Sequence, residues 1–367
     1  MAQFPSSEIM TLTGPAPRYD LAESIGPDLT LRDVLASDDI PLGYGSAAGE
    51  PELRAAIARR HGVEADDVVV TAGGMHALFL LAFILCGVSG EAVTTEPLFP
   101  LARTALEAVG AHIRTVRLDF ARHYQPDLAD IRAALSGRTK LVSLASPQNP
   151  SGVAIPAETI GRILSMMQAQ CPHACLLIDE TYREAVYGAD PVVPTLVALS
   201  PKVVSVASLS KSHGAPGLRI GWAITRDAVL RRHLITGKFS TVICCSAVDE
   251  ALARRVLEQN PQDRRDHFAA GLARTAAWVR RNADRVEWIR PDAGAICCVR
   301  LRPDVFDDES VSRFYAELAK REVRVAGGAW FGDEARVFRL GFGLLPLPDL
   351  ETALTGVSAA LDKETRS

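Results

Sequence analysis

Cysteine is scarce: the 367-residue chain has seven, an odd number that leaves at least one thiol unpaired. A disulfide framework is therefore excluded, and reduced thiols are expected. Cys171 and Cys175 stand four apart with no second Cys/His pair at zinc spacing, so no metal site is expected. Cys244-Cys245 and Cys297-Cys298 lie in apolar, strand-like text and are expected to be buried as small hydrophobes. Neither sign of charge dominates. The 40 Lys and Arg against 44 Asp and Glu give a formal charge of −4, and no block of basic residues occurs. That balance argues against nucleic-acid and membrane-surface partners, whose affinity comes largely from neutralised phosphates. The longest apolar run, 77–88, falls well short of the ~20 residues a membrane helix needs. The opening MAQFPSSEIMTLTG has neither a charged n-region nor an apolar h-region, so no secretory signal is expected and the protein is placed in the cytoplasm. Repeats and low-complexity tracts are also missing.

What is present is a core-forming composition. Hydrophobic residues make up 48% of the chain, and at roughly 150 residues per domain its length predicts about two domains. Residues 14–18 (GPAPR) read as an extended N-terminal arm. A helix is expected at 50–60, with Pro51 in its first turn, then a strand at 67–71, a turn at 72–75 and an apolar helix at 76–85. Further strands are expected at 92–95, 112–118, 140–145, 175–179, 203–209 and 218–225, with helices between many of them. Such alternation is the pattern of crossover units building a mainly parallel sheet. A helical stretch at 263–282 is long enough to bridge domains. Strands at 286–289, 295–300, 323–325 and 336–340, with helices at 308–321 and 347–361, then predict a smaller α+β domain. The expected fold is α/β. Residues 41–270 form a large domain around a mixed, mainly parallel seven-stranded sheet flanked by helices, residues 271–367 a small domain, and residues 1–40 an arm that joins it.

The most informative text is 208–221 (SLSKSHGAPGLRIG), where Lys211 stands between a strand end and a Gly/Pro-rich loop. Ser208, Ser210 and Arg219 supply donors that suit a phosphate. A cation near Lys211 would lower its pKa and free the amine for Schiff-base chemistry. Ala72-Gly73-Gly74-Met75 lies between a strand and a helix, where bare N–H groups and the helix dipole favour an anion. In 336–342 (RVFRLGF), alternation puts Arg339 on the face opposite Phe338 and Leu340. Residues 41–49 (PLGYGSAAG) hold a GxGxxxG pattern that suggests a dinucleotide site. That fingerprint must leave a strand, and the preceding 36–40 (ASDDI) does not read as one.

The lysine text resembles the cofactor-lysine motif of the pyridoxal 5'-phosphate (PLP) aminotransferases of fold type I, class I/II. Ser146-Pro147-Gln148-Asn149-Pro150-Ser151-Gly152 resembles that family's NPxG element and Asp179-Glu180-Thr181-Tyr182 its DxxY element, in the family's order. The resemblance runs from about Ile25 to Leu345. It implies that Lys211 carries PLP as a Schiff base and that Asp179 pairs with the protonated pyridine nitrogen, keeping the ring an electron sink. Asn149 and Tyr182 would donate to the cofactor's 3-oxygen. Ser208, Ser210, Arg219 and the turn at Gly73, Gly74 and Met75 would hold the phosphate. Family members often carry Ser or Thr where Met75 stands, so Met75 offers only its N–H. Glu96-Pro97-Leu98-Phe99 resembles the element whose aromatic ring stacks on the pyridine face, which places Phe99 there. Tyr44 matches a tyrosine that reaches the neighbouring subunit's phosphate, implying a homodimer with shared active sites. Arg339 matches the arginine that clamps the substrate α-carboxylate. Asn149 is placed on the substrate side as well, and Gly26, in Ile25-Gly26-Pro27-Asp28, belongs to the segment that folds over the same carboxylate.

The implied activity is amino transfer between an L-amino acid and a 2-oxo acid with ping-pong kinetics, Lys211 moving the proton between the α-carbon and the cofactor's C4′. Lys211, Asp179 and Tyr182 are the implied catalytic residues. The same groups serve elimination, cyclisation or oxidation equally well. A non-catalytic sensor like the aminotransferase-like half of some transcription regulators is the third reading, disfavoured by the retained Lys211 and Arg339 and by the roughly 25 residues that precede the resemblance. No second arginine is placed opposite Arg339, so a dicarboxylate preference is not expected. Residues 238–241 (KFST), after the Arg231-Arg232 helix, are expected in a loop that lies at the subunit interface or enters the partner's pocket.

Overall fold

The computed structural model describes residues 7–13, 16–35, 40–87 and 89–365. At its centre a sheet is built from β1 (Val68–Thr71), β2 (Glu91–Glu96), β3 (His112–Arg117), β4 (Thr139–Ala145), β5 (Cys175–Asp179), β6 (Val203–Ser208) and β7 (Gly221–Thr225). Their spatial order is β1-β7-β6-β5-β4-β2-β3. Only β7 runs against its neighbours; the other four pairings are parallel, as the strand text predicts. The inner strands are buried on both faces because helices cover the sheet, whereas the edge strand β3 (HIRTVR) is mostly exposed or half-buried. On one side Val68, Val70, Trp222 and Ile224 meet Leu53 and Ile57 of α1 (Pro51–His61). Val69 and Ala223 face the other side, against Leu78 and Leu81 of α2 (Gly73–Cys86) and Leu230 and Leu234 of α3 (Ala228–Val242). Alternate residues of one strand thus feed two cores. Leu252 and Val256 of α4 (Ala247–Glu258) complete the first of them.

A second sheet consists of β8 (Val286–Ile289), β9 (Ile296–Leu301), β10 (Ala326–Gly327) and β11 (Val337–Gly341), all antiparallel in the order β10-β11-β9-β8. Its Cys297, Val299, Phe338 and Leu340 pack on α5 (Gln262–Arg281), α6 (Asp308–Lys320) and α7 (Leu347–Thr365) through Phe268, Trp278, Phe314 and Leu354. The opposite face puts Ile289, Cys298 and Val337 against Phe120 and Tyr124 of the first sheet's connections. Arg339 shares that opposite face, in register with Cys298 and Ala326.

The N-terminal segment is tied to this second sheet. Tyr19–Asp20 pairs in parallel with Val323–Arg324, and Arg324 holds Asp20 at 2.5 Å. Next to it, the Gly341 N–H donates to the Leu21 carbonyl at 2.7 Å. A Cβ on Gly341 would lie 1.9 Å from the Glu23 carbonyl oxygen, so the close approach requires glycine.

Several elements differ from expectation. Helix α2 begins at Gly73, so Gly73, Gly74 and Met75 are its first turn and not a turn ahead of it. Strand β7 begins at Gly221, because Pro216–Leu218 forms a 3₁₀ turn. Residues 238–241 lie inside α3 instead of in a loop. Gly237, Ser240, Thr241 and Val242 are weak helix formers and hide the helix in the text, while Leu234 and Lys238, one turn apart, are buried and fix it. The Lys238 side chain is buried, its ammonium 4.0 Å from Glu250 of α4, while Phe239 next to it is exposed. Cys297 and Cys298 are buried in β9, but Cys244 and Cys245 follow α3 outside any strand, Cys245 buried and Cys244 half-buried. Of the expected arm at 14–18, residues 14 and 15 lie outside the described residues, as do 36–39 of the stretch weighed against the dinucleotide pattern.

Gly341→Ala tests how tightly the arm is seated. Overpacking of this kind costs about 1–3 kcal/mol, so the variant should melt at lower temperature and be cut faster by trypsin at the exposed Arg18. An unchanged Tm and cleavage rate would mean that the arm does not need the close approach.

Candidate active site

The C-terminal ends of β1, β2, β4, β5 and β6 share one edge of the large sheet, where open α/β sheets bind their ligands. Asp179 closes β5 and Ser208 closes β6, while Gly73, Phe99 and Asn149 follow β1, β2 and β4 within four residues. One edge therefore collects residues that are far apart in the sequence.

Around the start of α2 the chain forms an anion cradle. Gly73 has φ +76°, and a Cβ there would lie 2.3 Å from the Arg219 guanidinium, so only glycine lets that cation rest on the helix's first turn. Gly221 packs from behind: its Cβ would come within 2.5 Å of the Gly73–Gly74 peptide. Ser208 approaches Gly74, and its Oγ accepts the Ser210 N–H at 3.3 Å. Free N–H groups, the positive end of a 14-residue helix and an arginine fork suit a phosphate. Met75 packs its side chain into the core below and leaves only its backbone for the cradle.

Beside the cradle lies a polar cluster. Lys211 Nζ donates to Ser24 Oγ at 3.0 Å. Burial pushes its ammonium down to about 8; the Glu23 carboxylate opposes that fall, Arg339 adds to it, and Asp179 opposes it again. Asp179 Oδ1 accepts the Thr181 N–H at 3.0 Å, yet burial holds its pKa above the ordinary carboxylate value against Thr181 and Lys211. Arg339 is 1% exposed; it donates to Asn149 Oδ1 at 2.8 Å and to the Ala22 carbonyl at 2.5 Å, and stands 4.8 Å over the Phe331 ring. Its Nε has no acceptor, and the buried Tyr182 hydroxyl, with Ser24 beside it, makes no well-formed hydrogen bond. Burial pushes that phenol up to about 12, with Arg339 pulling the other way. An orphaned donor, an under-compensated carboxylate and a lysine shifted toward its neutral amine describe a site made for a ligand carrying an oxygen acceptor and a cationic nitrogen. These groups, with the cradle, fit PLP.

Of the residues singled out in the sequence, Lys211, Asp179, Tyr182, Asn149 and Arg339 come together, as do Gly73, Gly74, Met75, Ser208, Ser210 and Arg219. Phe99 is half-buried against a small cluster that includes Ala22 and Phe331. Gly26 is buried, and a Cβ there would sit 2.6 Å from the Phe268 ring, so packing alone requires glycine at that position. Tyr44 is 85% exposed and is not brought to the site within its own chain. Its loop is anchored where the Glu50 N–H donates to Glu250 at 3.0 Å. Sequence reasoning missed Glu23, Ser24 and Phe331. The only available signal was the position of Glu23 and Ser24 immediately before Ile25-Gly26-Pro27-Asp28.

Comparison with known proteins agrees with this geometry. Residues 28–355 match the family described as aminotransferase class I and II. A valine–pyruvate aminotransferase of Mycobacterium tuberculosis is 33% identical over 342 residues, 88% of this chain and 84% of its own length. A capreomycidine synthase of Streptomyces vinaceus is 29% identical over 360 residues, 95% of this chain and 88% of its own. The crystal structure of a PLP-dependent aminotransferase from Streptococcus suis superposes with a TM-score of 0.84 at 22% identity, covering 95% of this chain and 94% of that one. The chain accordingly belongs to the class I and II aminotransferases, the fold-type-I enzymes that work with PLP.

Proposed function

We propose that this enzyme exchanges the amino group of an L-amino acid with a 2-oxo acid, using Lys211, Asp179 and Tyr182 as catalytic residues. The observation that carries the reading is the juxtaposition, at the edge of the large sheet, of a lysine bonded only to Ser24, a buried arginine bonded to Asn149, and the buried Tyr182 hydroxyl. PLP supplies a cationic ring that takes up the electrons left when the α C–H bond breaks. The chain's own groups do the rest. Lys211 would hold the cofactor through its carbonyl carbon, with loss of water, and, once displaced by the substrate amine, its free amine would move the proton between the substrate α-carbon and C4′. Asp179 holds the proton on the ring nitrogen. Tyr182 and Asn149 donate to the ring oxygen, and Phe99 covers a ring face. Ser208, Ser210, Arg219 and the N–H groups of Gly73, Gly74 and Met75 hold the phosphate. Arg339, helped by Asn149 and the Gly26 segment, orients the α-carboxylate.

The exposed Tyr44 fits a reach into a second subunit, so the working form is a homodimer with shared sites. No helix among the described residues is long and apolar enough to cross a membrane, and we place the enzyme in the cytoplasm. The large part of the fold spans residues 41–270 and the small part 271–367, with 1–40 as the arm. A second reading keeps the cofactor but ends in cyclisation; it is favoured by the likeness to capreomycidine synthase along 95% of the chain.

Lys211 gives the first test. An ordinary lysine stays protonated to about 10.5, whereas Lys211 is lowered to about 8. In cofactor-free protein the rate of PLP capture, read from the yellow absorbance, should therefore rise with pH through about 8. Asp179 favours the ammonium, so Asp179→Asn should move that midpoint lower. A midpoint near 10.5, or borohydride fixing the cofactor to a peptide without Lys211, would contradict the assignment.

Arg339→Lys keeps the charge and loses the planar fork. Amino-acid binding should weaken by roughly 1.5–3 kcal/mol, about one to two decades in KM if KM tracks binding, with cofactor affinity and spectrum nearly intact. Wild-type efficiency in this variant would remove Arg339 from the substrate site.

A further inference from the structure

The arm crosses the site at a defined place. Ala22 gives its carbonyl to Arg339 and Ser24 its hydroxyl to Lys211, so Glu23 is held between the two cations. The residue is half-buried, its main-chain oxygen lies against Gly341, and its carboxylate accepts the Ser24 N–H at 3.3 Å. Its charge acts on Lys211, Arg339, Tyr182 and Arg324. Further along the same segment Asp28 also acts on Lys211, and Arg264 faces Asp28 and donates to the Pro27 carbonyl at 2.7 Å.

The charges in the occupied site can be paired off. With Lys211 committed to the cofactor, Asp179 to the ring nitrogen and Arg339 to the substrate α-carboxylate, the nearby cations that remain are Arg324, which already holds Asp20 at 2.5 Å, and Arg264, which faces Asp28 and donates to the Pro27 carbonyl. Glu23, flanked by the residues that bond Lys211 and Arg339, then stands beside the substrate's place with no ion pair of its own among the described residues. A carboxylate partly withdrawn from water is costly unless it is paired. We propose that Glu23 determines donor specificity by receiving a substrate side chain that ends in a cation, an ammonium or guanidinium, so that the preferred donors are basic amino acids. An acidic side chain would meet like charge, and an apolar one would desolvate the carboxylate with nothing in return. This inference rests on the amino-acid reading above and narrows its substrate class.

The test uses the PLP-loaded enzyme and two α-methyl amino acids, which have no α-hydrogen to lose and so report binding without turnover. α-Methylornithine and α-methylnorleucine have side chains of equal length that differ in the terminal ammonium. Titrated against the absorbance of the bound cofactor, the ornithine analogue should bind about tenfold or more tightly, as a hydrogen bond between charged groups gives. Glu23→Gln should abolish that preference while leaving α-methylnorleucine within about twofold of wild type, and Glu23→Asp should retain part of it. Equal binding of the two analogues by the wild type overturns the proposal, and this arm stands even if Glu23→Gln does not hold the cofactor. Equal weakening of both analogues in Glu23→Gln also overturns it, because Glu23 then acts on Lys211 and not on the side chain. Failure of amino transfer itself shows separately, as turnover absent with every ordinary amino acid.

Discussion

A guanidinium sealed from water has to find acceptors, and the way Arg339 finds them organises the cleft. With 1% of its surface exposed, it bonds Asn149 from the large sheet and the Ala22 carbonyl from the arm and lies over Phe331. Losing a partner from such a group costs several kcal/mol, so the three chain segments that meet at Arg339 are held in one arrangement. β11 delivers the arginine to that place because strand alternation sends Phe338 and Leu340 into the core of the second sheet and Arg339 the other way. Gly341 then lets the arm come close enough for Ser24 to reach Lys211.

The electrostatics of the cluster follow from this enclosure. Burial lowers Lys211, raises Asp179 and raises Tyr182, each away from its charged form. A bound cofactor that set a ring cation beside Asp179, an oxygen beside Tyr182 and a carbonyl carbon beside Lys211 would relieve all three at once. The cradle at α2 is built on backbone and Arg219, so in the proposed reaction phosphate grip and proton chemistry would fall to different residues.

Much of this was legible in the text. The seven strands of the large sheet were readable because they are short runs with β-branched residues, several bounded by Gly, Pro, Asn or Ser, and Lys211, Asp179, Asn149 and Arg219 stand at or close to strand ends, where a motif is a local property. The face of Arg339 was readable from period-two alternation. The contact between Lys211 and Ser24 was not, since 187 residues separate them and only tertiary packing brings them together. Helix α3 was hidden by its own C-terminal half, whose Gly237, Ser240, Thr241 and Val242 favour other conformations; burial of Leu234 and Lys238 overrides that preference. Glu250 could not be named as the partner of Lys238 for the same reason. The start of α2 was misjudged because Gly73 and Gly74 suggest a turn, although the first helical turn is where bare backbone serves an anion.

Amino transfer differs from every other outcome at this cofactor in where the nitrogen goes. The enzyme, loaded with one equivalent of PLP, can be mixed with a ¹⁵N-labelled amino acid in the absence of any 2-oxo acid, and the cofactor released and weighed by mass spectrometry. A transferase returns pyridoxamine 5'-phosphate carrying ¹⁵N, in proportion to active sites, with the matching 2-oxo acid in solution. Unlabelled PLP recovered alongside a cyclised, deaminated or otherwise altered amino acid would show that the same buried residues serve a different reaction.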